Sequence, residues 1–146
     1  MNDVMILTGA GQIGLAIARR MGYGATIVVG DKRLENAQAS ARTLNEAGFA
    51  AEAFETDISS RDSVRDFVGE ASERGEVAMF VNAAGVSPSQ APVEAILAVD
   101  LYGTAMLLEE VGKVVKRGGA GVTISSQSGH RMPALGAEVD ELLVEA

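Results

Sequence analysis

The sequence predicts an α/β protein built on a doubly wound parallel sheet. Short runs rich in β-branched residues alternate with longer stretches of helical spacing, which is the pattern of a parallel sheet covered by helices on both faces. A Gly-x-Gly-x-x-Gly turn directly follows the first of these runs. Apolar residues make up 47% of the 146 residues, and only 3 are Pro. This composition favours a packed domain over a disordered or collagen-like chain.

The spacing of apolar residues predicts five strands and four helices. The strands are residues 4–8, 25–30, 50–56, 77–82 and 121–125, and the helices are residues 13–21, 34–47, 61–74 and 92–116. Ser59 or Ser60 is expected to cap the third helix, and Gly48 to take a left-handed conformation at the end of the second. Right-handed crossovers then give the strand order 3-2-1-4-5.

Composition also restricts the partners and the location of the protein. With 12 Lys and Arg against 20 Asp and Glu, the net charge is −8, which argues against nucleic acid because phosphate binding needs a basic surface. The absence of Cys and the single His argue against disulfides and a metal site. The apolar runs are too short for a bilayer, and no signal peptide is visible. We therefore expect a cytoplasmic protein with no membrane partner.

The glycine-rich turn after the first predicted strand has the spacing of a Rossmann dinucleotide-binding turn. Gly9 permits the tight turn, Gly11 lets the backbone approach a pyrophosphate, and Gly14 lets helix and strand pack closely. Gln12 and Ile13 open the helix whose positive end would face the phosphates. The alternative, in which these are the glycines of an ordinary strand-to-helix turn, remains open at this point.

Asp31 stands at the end of the second predicted strand, directly after residue 30 and 20 residues after Gly11. An acidic side chain at this position accepts hydrogen bonds from an adenosine ribose and repels a 2′-phosphate, which favours NAD as the cofactor. Lys32 and Arg33 follow at once and could screen the carboxylate or bind that phosphate themselves, so NADP is the alternative. Asp31 could also serve as the N-cap of the second helix.

Three short motifs follow the third, fourth and fifth predicted strands. They are Asp57-Ile58, Asn82-Ala83-Ala84-Gly85 and Ile124-Ser125-Ser126. Together with the glycine turn, they resemble the short-chain dehydrogenase/reductase family, and the resemblance covers nearly the whole chain. It implies hydride transfer between a nicotinamide cofactor and a small alcohol or carbonyl substrate. Taken singly, the polar residues of these motifs could equally serve in turns or caps.

The resemblance also implies a role for each of these residues. Asp57 and the backbone of Ile58 would contact the adenine, and residues 82–85 would stabilise the central sheet and lie along the cofactor. Ser126 would be catalytic and hydrogen-bond the substrate oxygen. Asp100 stands where the family commonly has its fourth catalytic residue, an Asn.

The sequence departs from the family pattern in two further respects. The glycine turn is one residue shorter than the family's usual Thr-Gly-x-x-x-Gly-x-Gly. The family's Tyr-x-x-x-Lys should follow Ser126, but the 20 residues 127–146 contain neither Tyr nor Lys. The strands and helices that complete the family's sheet and substrate pocket are missing too. We therefore expect residues 1–146 to be a Rossmann domain truncated after the fifth strand and inactive by itself.

These observations lead to a main hypothesis and two alternatives. The main hypothesis is that the parent protein is an NAD(P)-dependent alcohol or carbonyl oxidoreductase. The first alternative is a non-catalytic, redox-sensing dinucleotide-binding module, and the second is a degenerate protein without a ligand. The family resemblance further suggests a homo-oligomer built partly on the predicted helix 92–116.

Overall fold

The computed structural model describes residues 2–145, except for the side chain of residue 143. Its strands are β1 (Asp3–Thr8), β2 (Ala25–Asp31), β3 (Ala50–Glu55), β4 (Glu76–Asn82) and β5 (Val115–Thr123). All neighbouring strands pair in parallel, in the order β3-β2-β1-β4-β5. The predicted fold class and strand order are confirmed.

The helices lie between the strands and after β5. They are α1 (Gln12–Met21), α2 (Leu34–Glu46), α3 (Arg61–Glu73), α4 (Val93–Ile96), α5 (Thr104–Gly112), α6 (Ser128–Arg131) and α7 (Ala137–Glu145). Ser60 is the N-cap of α3, and its hydroxyl accepts a hydrogen bond from the backbone N–H of Ser63 at 3.4 Å. Gly48, just after α2, has φ +90°, so the predicted left-handed residue is present there.

The side chains of the buried central strands point alternately to the two faces of the sheet and so divide the core into two layers. On one face, Val4 and Ile6 of β1 pack with Val64 and Phe67 of α3. On the other face, Met5 of β1 belongs to the cluster formed with α1 and α2. Because successive side chains of a strand point to opposite faces, an unbroken apolar strand needs helices on both sides. This packing fixes β1 at the centre and leaves the carboxyl ends of the strands open at one edge.

The predicted helix over residues 92–116 is wrong in extent. The structure divides it into α4, a π-helical segment (Leu97–Gly103) and α5, which ends at Gly112. Gly112 weakens the helix because glycine is a poor helix former. The β-branched Val114 and Val115 then favour extended backbone.

The fifth strand accordingly begins earlier than the predicted residue 121 and ends earlier than residue 125. Val115 pairs with Val77, and the next paired residue is Ala120, opposite Met79. The residues between form a bulge in which Gly118 takes φ +83°. Glycine accepts this left-handed conformation without the steric cost that a side chain would carry. In the described residues, no helix has the length and the apolar character that crossing a membrane requires.

Candidate functional site

A cleft of about 460 Å³ lies at the carboxyl ends of the central strands. Seven of the predicted cofactor-binding residues line it: Gly9, Gly11, Asp31, Asp57, Ile58, Ala84 and Gly85. The predicted residues Gln12, Ile13, Gly14, Asn82 and Ala83 are not among the lining residues. Ligands of open α/β sheets bind at this edge, in the crevice outside the strand ends. The cleft is therefore the candidate binding site.

A side chain at each of the three glycines of the first turn would meet different surroundings. Gly9 has φ +88°, and a Cβ built on it would lie 2.5 Å from the backbone of Ala83 and Ala84. A Cβ on Gly14 would lie 2.5 Å from the carbonyl oxygen of Gly9, which shows how closely α1 approaches the turn after β1. Gly11 has no atom within 4 Å of the position a Cβ would take. It therefore leaves open a space that a side chain would fill.

The peptide groups on either side of Ala10 are held by hydrogen bonds. The N–H of Ala10 donates to Asp31 Oδ2 at 3.0 Å, and its carbonyl oxygen accepts from the Ser40 hydroxyl at 2.9 Å. Asp31 Oδ1 accepts from the N–H of Arg33 at 2.9 Å. The N-cap residue of α2 is Arg33, so the alternative in which Asp31 caps that helix is wrong. Asp31 instead links the end of β2 to the glycine turn.

Asp57 lines the cleft and forms a local turn. Its Oδ1 accepts from the N–H of Ser59 at 3.0 Å and from the Ser59 hydroxyl at 2.6 Å. The hydrogen bond from the Ser59 hydroxyl is the main cause that lowers the pKa of Asp57, and the charge of Lys32 lowers it further. Asp57 is thus a carboxylate at neutral pH, with Ile58 buried beside it.

Asn82 lies beneath the cleft, 1% exposed. Its Oδ1 accepts from the Thr8 hydroxyl at 2.9 Å and from the N–H of Ala84 at 3.2 Å, and its Nδ2 donates to the Thr104 hydroxyl at 3.3 Å. The N–H of Ala83 donates to the carbonyl of Thr8 at 2.8 Å. Asn82 therefore ties β4 to β1 and α5 and shapes the segment that lines the cleft.

The two residues predicted to be catalytic lie outside the lining of the cleft. Asp100 is in the π-helical segment, and its Oδ1 accepts from the N–H of Val86 at 2.9 Å. Ser126 follows β5 and is exposed, and its hydroxyl is 3.2 Å from that of Ser128. In the described part of the chain, no hydrogen bond joins Asp100 to Ser126.

Several lining residues were not singled out from the sequence. They are Ala10, Gly30, Asn36, Thr56, Val86, Gln90 and Val99. The Thr56 hydroxyl is buried, and no partner for it occurs among residues 2–145. Lys32 and Arg33 also line the cleft. The open space at Gly11 and these mixed polar groups fit an elongated ligand with phosphate and hydroxyl groups. No group of three side chains that could hold a metal ion occurs within the described residues.

The family model described as short chain dehydrogenase matches residues 3–138 of this chain. The chain belongs to the short-chain dehydrogenase/reductase family. The matched residues include its glycine turn, its Asp57 turn and its Asn82 segment. The dehydrogenase match covers every strand of the sheet.

Named relatives within this dehydrogenase family are similar over most of the chain. The short-chain dehydrogenase/reductase bsc3 of Alternaria brassicicola is 39% identical over 130 residues, covering 89% of this chain and 47% of that protein. Levodione reductase of Leifsonia aquatica is 30% identical over 138 residues, covering 86% of this chain and 52% of that protein. The chain thus spans about half the length of these curated relatives.

A solved structure carries the same fold. It is a metagenomic short-chain oxidoreductase in complex with NADP, which is 30% identical to this chain and superposes with a TM-score of 0.71. The match covers 87% of this chain and 63% of the oxidoreductase.

Proposed function

We propose that the protein is an NAD(P)-dependent oxidoreductase that interconverts an alcohol and a carbonyl, and that residues 1–146 form its dinucleotide-binding domain. The observation that carries the proposal is the cleft at the strand ends, where Gly11 is open and Asp31 and Asp57 present carboxylates. The family membership and the names of the relatives support the same class of reaction. A small alcohol or carbonyl is the proposed substrate.

The chain's own residues would bind and orient the cofactor. The Gly9–Gly14 turn, with Gln12 and Ile13 opening α1, would hold the pyrophosphate, and Asp31 would accept from the adenosine ribose. Asp57 and Ile58 would border the adenine, and residues 82–85 would lie along the cofactor. The nicotinamide, when bound, supplies the hydride acceptor or donor.

The proposed catalytic residues of this chain are Ser126 and Asp100. Ser126 would hydrogen-bond the substrate oxygen through its exposed hydroxyl, which here donates to the Ser128 hydroxyl at 3.2 Å and accepts from the Ser128 N–H at 3.1 Å. Asp100 holds the N–H of Val86 and would act at the family's fourth catalytic position. A Tyr and a Lys are required for proton transfer in this scheme, and residues 127–146 contain neither. We therefore assign that step to no residue of this stretch.

NAD is the proposed cofactor, with NADP as the alternative. The Asp31 carboxylate would repel a 2′-phosphate, which favours NAD. Lys32 and Arg33 line the cleft together with Asp31, and the similar oxidoreductase in complex with NADP supports the alternative.

Titration of the chain with NAD and with NADP tests which of the two cofactors it prefers. We expect tighter binding of NAD than of NADP. Asp31→Ala should weaken NAD binding by about tenfold to a hundredfold, since a hydrogen bond to a charged group contributes about 1.5–3 kcal/mol. The same change should relieve the bias against NADP. Glu35→Ala, an exposed carboxylate in the first turn of α2, is the matched control and should change neither affinity. Equal or tighter NADP binding by the unaltered chain would contradict the assignment.

A second candidate function is a redox-sensing module that binds the dinucleotide without turning it over. One observation favours it: Asp stands at position 100, where the family commonly has Asn.

Nicotinamide reduction with a panel of secondary alcohols tests the two candidates. We expect residues 1–146 to bind NAD without turnover, and the whole protein to turn over. Ser126→Ala in the whole protein should lower kcat without weakening NAD binding. Turnover by residues 1–146 alone would contradict the assigned role of the absent Tyr and Lys. A whole protein that binds NAD but never turns over would favour the sensing module.

The proposal includes a homo-oligomer. The apolar side chains of Val93, Leu97, Leu101 and Leu108 are exposed along α4, the π-helical segment and α5, and such a stripe supports association with a second copy. The cytoplasmic location and the absence of nucleic-acid and membrane partners stay predictions that rest on composition.

A further inference from the structure

Ser40 lies in the middle of α2 and is 6% exposed. Serine and threonine hydroxyls in helices commonly bond to the carbonyl four residues earlier. Thr43 of the same helix does so, donating to Ala39 at 3.0 Å, and Ser72 of α3 donates to Val68 at 2.9 Å. The Ser40 hydroxyl instead leaves its helix and donates to the carbonyl oxygen of Ala10 at 2.9 Å. Its partner therefore belongs to the glycine turn.

The peptide group that Ser40 holds also contains the N–H of Gly11. A trans peptide is planar, and its C=O and N–H point in opposite directions. By fixing the carbonyl oxygen of Ala10, Ser40 thus turns the N–H of Gly11 away from α2. In the described residues this N–H donates to no protein acceptor. Gly11 lines the cleft and precedes α1 as its N-cap residue, where free amide groups attract anions.

The turn needs such an external restraint because Ala10 stands between two glycines. Glycine has the widest choice of backbone conformations and loses the most entropy when ordered. Asp31 restrains the preceding peptide through the N–H of Ala10, and Ser40 restrains the following one. The two side chains therefore act on two successive peptide planes from two different elements, β2 and α2.

We propose that Ser40 is a positioning residue of the cofactor site, which holds the peptide between Ala10 and Gly11 so that the N–H of Gly11 faces a phosphate oxygen of the dinucleotide. This inference rests on the proposed function. Ser40 does not line the cleft, so its effect reaches the ligand only through the orientation of that peptide. Ser40 should therefore affect the binding of the phosphate groups and not the binding of the adenosine.

The test compares Ser40→Ala with the unaltered chain, using adenosine, ADP and NAD as probes. We expect Ser40→Ala to weaken ADP and NAD binding about tenfold, the scale of one hydrogen bond to a charged group, and to leave adenosine binding unchanged within about twofold. The amide resonance of Gly11 should shift in the unliganded variant. Ser40→Thr, which keeps the hydroxyl, should restore most of the ADP affinity. Ser72→Ala removes a helical hydroxyl that is exposed and bonds within α3, and it should leave all three affinities unchanged.

The outcomes separate this inference from the proposed function. An unaltered chain that binds neither ADP nor NAD contradicts the proposed function and with it the role of Ser40. Tight NAD binding by both the unaltered chain and Ser40→Ala overturns the role of Ser40 alone. Equal losses for adenosine, ADP and NAD, together with a lower melting temperature, would also overturn it, since they indicate a general structural effect.

Discussion

Gly9→Ala is expected to lower the free energy of unfolding by about 3 kcal/mol or more, a large fraction of the roughly 5–15 kcal/mol of a typical domain. Two effects combine at this position. The residue has φ +88°, and the new Cβ would lie 2.5 Å from the carbonyl carbon of Ala83. Because that atom belongs to the backbone next to Asn82, the turn and β4 would have to separate. Urea unfolding monitored by circular dichroism measures the loss.

Two further glycines serve as matched controls for Gly9. Gly24 has φ +79° but no atom within 4 Å of a built Cβ, so Gly24→Ala isolates the conformational strain, about 1–3 kcal/mol. Gly11 has neither a positive φ nor a close neighbour. Gly11→Ala should change stability by less than about 0.5 kcal/mol and yet weaken NAD binding, because its Cβ would occupy the space proposed for the phosphates. Native stability in Gly9→Ala would show that the turn is looser than the structure has it.

The central strands could be predicted because their sequence signal is local. Residues 4–7 are apolar without interruption and are 0% exposed in the sheet, and only a strand covered on both faces uses such a run. The fifth strand has no comparable signal. Its residues Gly118, Gly119 and Gly121 favour no element, and its start is set by pairing with β4. Pairing is a tertiary interaction that the local pattern does not contain.

The cleft residues near strand ends could also be predicted, because their sequence signal is local. Gly9, Asp31 and Asp57 lie within two residues of strand ends, where the spacing of the motif gives their position. Ser40 stands in a helix 30 residues from Ala10, and nothing near it in the sequence indicates that its hydroxyl leaves the helix. The structure also shows that Asp31 acts within the protein, on the N–H of Ala10, in addition to the role its position predicts.

Asn82→Ala is expected to lower the free energy of unfolding by roughly 2–6 kcal/mol, because the buried Thr8 hydroxyl and the partly buried N–H of Ala84 lose their acceptor and each unpaired group costs about 1–3 kcal/mol. Asn82 is 1% exposed, so water cannot easily replace the lost oxygen. Asn45 provides the matched control, since it also makes two hydrogen bonds, both with the backbone of Ala51, but is exposed. Asn45→Ala should cost less than about 1 kcal/mol, because water takes over those bonds.

A double-mutant cycle with Thr8 identifies the cause of the loss at Asn82. Thr8 is fully buried, and its hydroxyl donates to Asn82 Oδ1 at 2.9 Å. In Asn82→Ala that hydroxyl is left without its acceptor, and Thr8→Val removes the hydroxyl itself. The double variant should therefore be more stable than the sum of the two single losses indicates, by about 0.5–3 kcal/mol. Strict additivity of the two losses would mean that the Thr8 hydroxyl finds another partner, and that Asn82 stabilises the sheet through Ala84 and Thr104 alone.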